Sequence, residues 1–403
     1  MRKTVFNDIK NSVFISDTTG RSLTSSEKKS DFDYLYDVIY KTFPLSDKNK
    51  KFFSKFLNQK VNFEKNIIDT KTDEEFFNSI SKYLELLKDE NFKILDKNEY
   101  DKNFNYYKNL DDENPWKKEI EKDNSRDRYE RMVEKDYSNS TNIQTKVNNT
   151  SLIISFDNFN KSNIKDDKEK IVNEVNENPF LENIIIDLRQ VTSTDEIYWK
   201  NALAPIFIKK NSKATNQIIY RSNLNDDYID YLSNSNNMNY SNKKLKTYSL
   251  DNIKGIDIDD YMFYNNLNTV IEKDNQVDMI NRNVYILVDS NTKNAPESFS
   301  SFMQTTGNAT IVGENTFGNG LGLDQIFISL PHSGFIIQIS TCQAINYYGK
   351  LQSNSGVISD IKVNSKENID KILNQILDGT IEKNNDIDFS NVIKQKPIIK
   401  EKQ

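Results

Sequence analysis

Apolar residues recur at helical spacing in the first quarter of the chain and as short strand-like runs from about residue 150 onward. FDYLYDVIYKTF places Phe32, Leu35, Tyr36 and Ile39 on one face of a helix that Pro44 stops. DEEFFNSISKYLELLKDENFKIL predicts a second helical stretch starting at Asp73, with Asp73 as its N-cap. Together they predict a small helical leading domain over residues 31–110, behind a polar arm at 1–30. Residues 111–149, DDENPWKKEIEKDNSRDRYER followed by an Asn/Thr/Ser-rich run, read as an exposed connector.

Beyond residue 150, SLIISFDNF and NIIIDL read as strands around a helix KDDKEKIVNEVNEN, and EIYWKNALAPIF as a further helix ending near Pro205. NVYILVD (283–289) is a buried strand, followed by the helix PESFSSFMQTT and the strand ATIVG. IFISLP and FIIQIST flank the turn HSG and predict a hairpin. This alternation of strands and helices implies an α/β core over 150–380. Residues 207–280, rich in Asn, Tyr, Lys and Asp without clear periodicity, read as an insertion or cap, and 381–403 as a polar tail.

Composition narrows the chemistry. At 403 residues the chain has room for two or three domains, and aromatics at 11% supply large core side chains despite 28% charged residues. The net charge of -6 is spread out with no basic stripe, so nucleic acid is not an expected partner. No stretch approaches a membrane span, and the start MRKTVFNDIKNSVFISD lacks a continuous apolar run. The expected location is cytoplasmic, or the envelope or exterior if a leader has been removed. Cys342 is the single cysteine and His332 the single histidine. That excludes an internal disulfide framework and a Cys-based zinc site, and any histidine proton shuttle would have to run through His332. No metal or cofactor is expected. Of the 11 glycines none lies between Arg21 and Lys254, and eight fall between Gly307 and Gly356, where tight turns are expected.

The run NVYILVDSNTKNAPESFSSFMQTTGNATIVGENTFGNGLG resembles the nucleophile region of tail-specific (C-terminal-processing) serine peptidases. In that family a buried strand ends in Asp, a loop presents Ser-Ala-x-Glu at a helix start, and a strand leads to Gly-Glu-x-Thr-Phe-Gly. SLPHSGFIIQIST and GKLQSNSGVISDIKV resemble its Leu-Pro-x-Ser-Gly hairpin and its Gly-Val-x-Pro-Asp segment, with Ser359 in place of Pro. NIIIDLRQVTSTDEIYWKN stands where the family has Asp-Leu-Arg and a glycine turn. The leading helices and LELLKDENFKIL resemble the tricorn-like and interphotoreceptor-retinoid-binding-protein-like branch, and nothing resembles an inserted PDZ domain. The resemblance implies the α/β spiral of the ClpP/crotonase-like group behind a small helical domain.

It also implies where the chemistry should be, and those positions are replaced. The nucleophile position is Asn294, whose amide is no acyl-transfer nucleophile; as a residue it reads as an N-cap, with Pro296 in the first turn and Glu297 completing a capping box. The lysine of the Ser-Lys branches falls at Asn319, and the histidine of the tricorn-like branch at Asn91, with Phe92 after it. The oxyanion-turn equivalent is Arg189, Gln190, Val191 and Thr192, with Ala295 at the helix start. Its β-branched residues resist the positive φ that glycines allow. Lys293, Glu297, Thr316, Gly318 and Gly320 are expected around the cleft. His332 falls in the hairpin turn, and Ser298 and Ser300 inside the helix.

With no catalytic residue in place, the expectation is a pseudo-peptidase holding an extended peptide or protein terminus. Two alternatives stay open: an active peptidase using an unaligned serine, and an interaction protein whose cleft is closed. The sequence leaves the oligomeric state open.

Overall fold

The computed structural model describes residues 22–133, 143–235, 243–244, 248–250, 254–320, 324–346, 350–364, 366–378 and 399–401. The polar arm up to residue 21 and most of the tail after 378 lie outside them. The described strands are β1 (Lys93–Ile94), β2 (Ile143–Asn148), β3 (Ser151–Phe156), β4 (Asn183–Asp187), β5 (Thr192–Ser193), β6 (Ser212–Tyr220), β7 (Lys243–Lys244), β8 (Tyr248–Leu250) and β9 (Phe263–Ile271). They continue with β10 (Asn283–Val288), β11 (Lys293–Asn294), β12 (Thr310–Gly313), β13 (Ile326–Ser329), β14 (Ile336–Ile339), β15 (Cys342–Ile345), β16 (Ile361–Lys362) and β17 (Ile399–Glu401).

The central sheet has the order β16-β12-β10-β4-β3-β2. All its pairs are parallel except β2 with β3. Parallel strands bury both faces, which is why NIIID and NVYILV read as continuous apolar runs. Ile154, Ile184, Ile186 and Ile286 face one cluster with Phe299 and Met303 of the helix Ala295–Thr305. Ile153, Ile185, Leu287 and Val312 face another with Ile372 and Leu373 of the helix Ile369–Leu377. The protein is therefore a mixed α/β molecule with a helical N-terminal part.

That helical part begins earlier than the periodicity indicated. The helix Ser25–Thr42 starts at a capping box between Thr24 and Glu27 rather than at Asp31. The next predicted start is displaced by one residue, since Thr72 caps Asp73–Leu84 and Asp73 sits in its first turn. The reading of 111–149 as exposed connector is corrected over its described first half. Pro115–Ile120 and Asp123–Tyr129 are helices that bury Trp116, Ile120 and Tyr129. Trp116 Nε1 donates to the Gln325 carbonyl at 2.7 Å, and Tyr129 stacks on Tyr100 with ring centroids 3.9 Å apart.

The expected hairpin is present: β13 and β14 pair antiparallel, and β1 joins them on the outer side of β14. Its apolar residues share one core cluster with the N-terminal helices, Phe335 meeting Phe77 at 5.4 Å. Residues 207–280 are more ordered than their composition suggested. β6 and β9 pair over nine residues each and, with β15 and β7, make a four-stranded sheet ordered β15-β6-β9-β7. Their many asparagines hide the alternation, because Asn disfavours strands yet here occupies half-buried ladder positions such as Asn216 and Asn268. β8 pairs with β17. Among the described residues no helix is long and apolar enough to cross a membrane.

Candidate functional site

The short parallel pair β5–β11 sets Lys293 opposite Thr192 and Asn294 opposite Ser193. The helix Ala295–Thr305 starts immediately afterward, so Asn294 lies at a helix N-terminus beside the 189–194 turn. Its backbone is at φ 58, ψ -123. Such a strained strand-to-helix elbow is expensive for a residue with a Cβ and is found where a side chain must be presented for function.

Asn294 makes no capping hydrogen bond, which corrects the N-cap reading. Instead its Oδ1 accepts from Asn91 Nδ2 at 3.0 Å, across 203 residues of sequence. Asn91 is held in turn: its N–H and Nδ2 both reach Asp89 Oδ1 at 3.0 Å, and Gln325 Nε2 donates to its Oδ1 at 3.2 Å. The two positions that the resemblance assigned to nucleophile and histidine thus meet through their side chains, as one amide against another. Asn294 is 1% exposed and Asn91 3%. Asn294 Nδ2 has no acceptor among the described residues.

Glu297 does not complete a capping box either. It turns inward, where Thr316 Oγ1, Gly318 N–H (2.7 Å), Gly320 N–H (2.5 Å) and Gln352 Nε2 (3.0 Å) donate to its carboxylate, and the Asn319 N–H adds a further backbone bond. Burial pushes the Glu297 carboxyl up, and Thr316, Gly320, Gly318 and Asn319 oppose the rise. The 318–320 turn therefore wraps this carboxylate. A Cβ on Gly320 would lie 2.7 Å from the Asn294 carbonyl oxygen, so the turn is pressed onto the elbow. Asn319 sits between these two glycines. Gly320→Ala is expected to destabilise the fold by about 1–3 kcal/mol through this overpacking; an unchanged denaturation midpoint would show that the turn yields.

The oxyanion-turn residues are only partly where the resemblance placed them. Arg189 points away: it pairs with Asp187 at 2.6 Å and donates to the Glu367 carbonyl at 2.9 Å. Gln190 alone in the turn takes positive φ, at 65. Asp289 pins it by accepting its backbone N–H at 3.1 Å and its side-chain amide. The Val191 N–H donates to the Leu188 carbonyl at 3.1 Å, and Val191 and Ala295 are buried in the core. The N–H groups of Gln190 and Val191 are thus committed inside the turn.

Two lysines stand by. Lys293 Nζ lies 3.4 Å from Glu90 Oε1 and 4.5 Å from the centre of the Phe317 ring, and Lys48 Nζ lies 3.8 Å from the centre of that same ring while donating to the Phe317 carbonyl. Burial holds the Lys48 ammonium below its usual range. Glu90 also accepts from Thr192 Oγ1 at 2.8 Å, which ties the helical part to the turn beside Asn294. His332 remains in the hairpin turn, near Ser30 at 3.2 Å and Glu27 at 4.0 Å. Ser300 Oγ donates to the Pro296 carbonyl, while Ser298 hydrogen-bonds Glu196.

A cleft of about 740 Å³ adjoins these residues. Lys93 of β1, Gln325, Gln338 and the Thr192–Glu196 stretch are part of its wall; Asn91 and Asn294 do not line it, though Glu90 and Phe92 on either side of Asn91, and Ser193 opposite Asn294, do. Sequence reasoning missed Glu90, Gln325, Gln338, Asp195 and Glu196, because no motif marks them and only the fold brings them together. Glu196 is pushed up to about 7 by burial, against Lys200 at 3.9 Å, with Asp324 adding to the rise and Ser298 and Trp199 opposing it. A carboxyl raised in the folded state binds more protons there, so its stabilising contribution is present at low pH and is lost as pH climbs through about 7. Glu196→Gln is expected to flatten the stability profile between about pH 5 and 8; a profile as steep as the parent's would remove Glu196 as its source.

The sequence pattern of peptidase family S41 matches residues 151–363, more than half of the chain, and the chain belongs to that family. Similar solved structures include a lipoprotein from Streptococcus agalactiae, at 13% identity and TM-score 0.50, covering 90% of this chain and 99% of that one. A candidate peptidase from Parabacteroides merdae matches at 14% identity and TM-score 0.47, covering 88% and 93%. The photosystem II D1 C-terminal processing protease matches at 12% and 0.42, covering 85% and 94%. At these identities the first likeness shows a shared fold. Among curated proteins none matches the sequence.

Proposed function

We propose that this member of peptidase family S41 holds an extended peptide segment without cleaving it. The observation that carries the reading is the Asn294–Asn91 contact. Acyl transfer needs a nucleophile and a base within hydrogen-bond reach. Here the elbow and the facing position are occupied by two carboxamides, neither of which ionises near neutral pH. The cleft beside them is bordered by the edge strands β1 and β5, each paired on one side only among the described residues. Peptide can add to such an edge through backbone groups alone, so binding outlives catalysis.

A second reading is favoured by one observation, the hydrogen bond between Ser298 and Glu196 with Lys200 close by. An unaligned serine hydrogen-bonded to a raised carboxyl is the arrangement this reading requires. Against this, Ser298 is 4% exposed and faces a void of about 10 Å³, room for a single water and no peptide.

The test is labelling of the purified chain with a fluorophosphonate probe, followed by intact mass, beside a cleavage assay on unstructured peptides. No adduct and no cleavage are expected. Stoichiometric labelling that Ser298→Ala abolishes would establish the second reading in place of the first.

A further inference from the structure

Two residues in the wall of the 740 Å³ cleft each carry a buried polar atom that has no hydrogen-bond partner among the described residues. Gln338, on β14 and 5% exposed, holds its Nε2 there without an acceptor among the described residues. Asp195, just past β5 with its side chain 12% exposed, holds Oδ1 without a hydrogen-bond donor. Lys161 Nζ forms an ion pair with it at 3.8 Å, beyond hydrogen-bond distance, and donates to Asn103 Oδ1 at 2.7 Å. Buried polar groups are ordinarily paired, so each exception calls for a partner from outside the chain. One of these asks for an acceptor and the other for a donor.

The charges lean the same way. Asp324 acts through space on both Asp195 and Glu196; Lys161 and, more weakly, Lys102 face Asp195, and Lys200 faces Glu196 and Asp324. Around the whole cleft, Asp and Glu outnumber Lys seven to four. The backbone edges of β1 and β5 border the same space. A peptide backbone supplies carbonyl acceptors for Gln338, and within an extended segment a lysine or arginine side chain supplies a charged donor for Asp195.

Building on the peptide-binding reading above, we propose that the cleft selects a segment carrying a lysine or arginine: one carbonyl accepts from Gln338 Nε2, and the basic side chain reaches Asp195 beside Glu196 and Asp324. Gln338 is then a general backbone contact and Asp195 the residue that sets specificity.

The experiment measures fluorescence anisotropy with the full chain and fluorescein-labelled, end-amidated octapeptides of alternating valine and asparagine, one central position being lysine, arginine, alanine or glutamate. The lysine and arginine peptides are expected to bind at least about tenfold tighter than the alanine peptide, which is one charge-assisted bond's worth, and the glutamate peptide weakest. Asp195→Asn should bring lysine to within about threefold of alanine without weakening the alanine peptide. Gln338→Met should weaken all four alike. Equal binding of lysine, alanine and glutamate peptides would overturn the selectivity while leaving peptide binding standing. Binding of none would overturn both. A lysine preference that survives in Asp195→Asn and in Asp324→Asn, each checked for an unchanged melting curve, would overturn the assignment of the subsite.

Discussion

The double variant Asn294→Ser/Asn91→His is expected to remain at least about a thousandfold below an ordinary peptidase, whose kcat is roughly 10 s⁻¹. The elbow itself would suit a serine: Asn294 already stands at φ 58 at a helix N-terminus. A histidine at 91 would find Asp89 beside it, where Asn91 now finds its acceptor. The shortfall comes from the turn. The Gln190 and Val191 N–H groups are committed to Asp289 and to the Leu188 carbonyl. Losing a single oxyanion donor costs about 10²–10³ in kcat, and groups that act as a unit return little when restored in part. Asn294 is also only 1% exposed and does not line the cleft. Adding Val191→Gly, Thr192→Gly and Ser193→Gly is expected to raise turnover above that of the double variant. A cleavage assay decides: a double variant within about tenfold of 10 s⁻¹, with its turn untouched, would mean that the turn is already competent.

Glu297→Ala is expected to be the most damaging single substitution in the site, costing about 3–5 kcal/mol, against a total stability of about 5–15 kcal/mol for a folded domain. The carboxylate gathers donors from Thr316, Gly318, Asn319, Gly320 and Gln352. Alanine leaves all of them buried and without an acceptor, and each such group costs about 1–3 kcal/mol, not additively. Glu297→Gln keeps an acceptor oxygen but turns an amide nitrogen toward a donor, so a smaller loss of about 1–2 kcal/mol is expected. Urea denaturation of the three proteins measures this. Near-equal midpoints for the parent and Glu297→Ala would show that the 316–320 turn does not depend on this anchor. Glu297 thus has a structural task in the 316–320 turn that is independent of any chemistry at the elbow.

The fold was legible where burial is two-sided or periodic. NIIID, NVYILV and the hairpin flanking HSG declare themselves because β4, β10, β13 and β14 are mostly apolar and almost wholly buried. β6 and β9 were not legible, since a strand that seats asparagines in its ladder has no apolar alternation to read. Nor were the helices after Asn114, whose buried Trp116 and Tyr129 are isolated among charges. In the site, sequence could bring Asn91 and Asn294 into one argument only through family resemblance, because 203 residues separate them. It misassigned the Asn294 and Glu297 side chains because SxxE-like spacing is shared by a capping box and by an elbow. The two differ in the backbone of one residue, φ 58 and ψ -123 at Asn294 against φ -73 and ψ 160 at the Thr24 cap.

The core cluster shared by the N-terminal helices and the β13–β14 hairpin has a consequence for synthesis on the ribosome. The helices are finished by Met132, but the strands that cover Phe76, Phe77 and Tyr129 start only at Ile326. At about 5–20 residues per second, the aromatic face of the helical part waits roughly 10–40 s for its cover. During that interval it presents sticky surface to anything nearby, and a chain stalled or truncated before the hairpin would be a natural client for chaperones rather than a smaller functional protein.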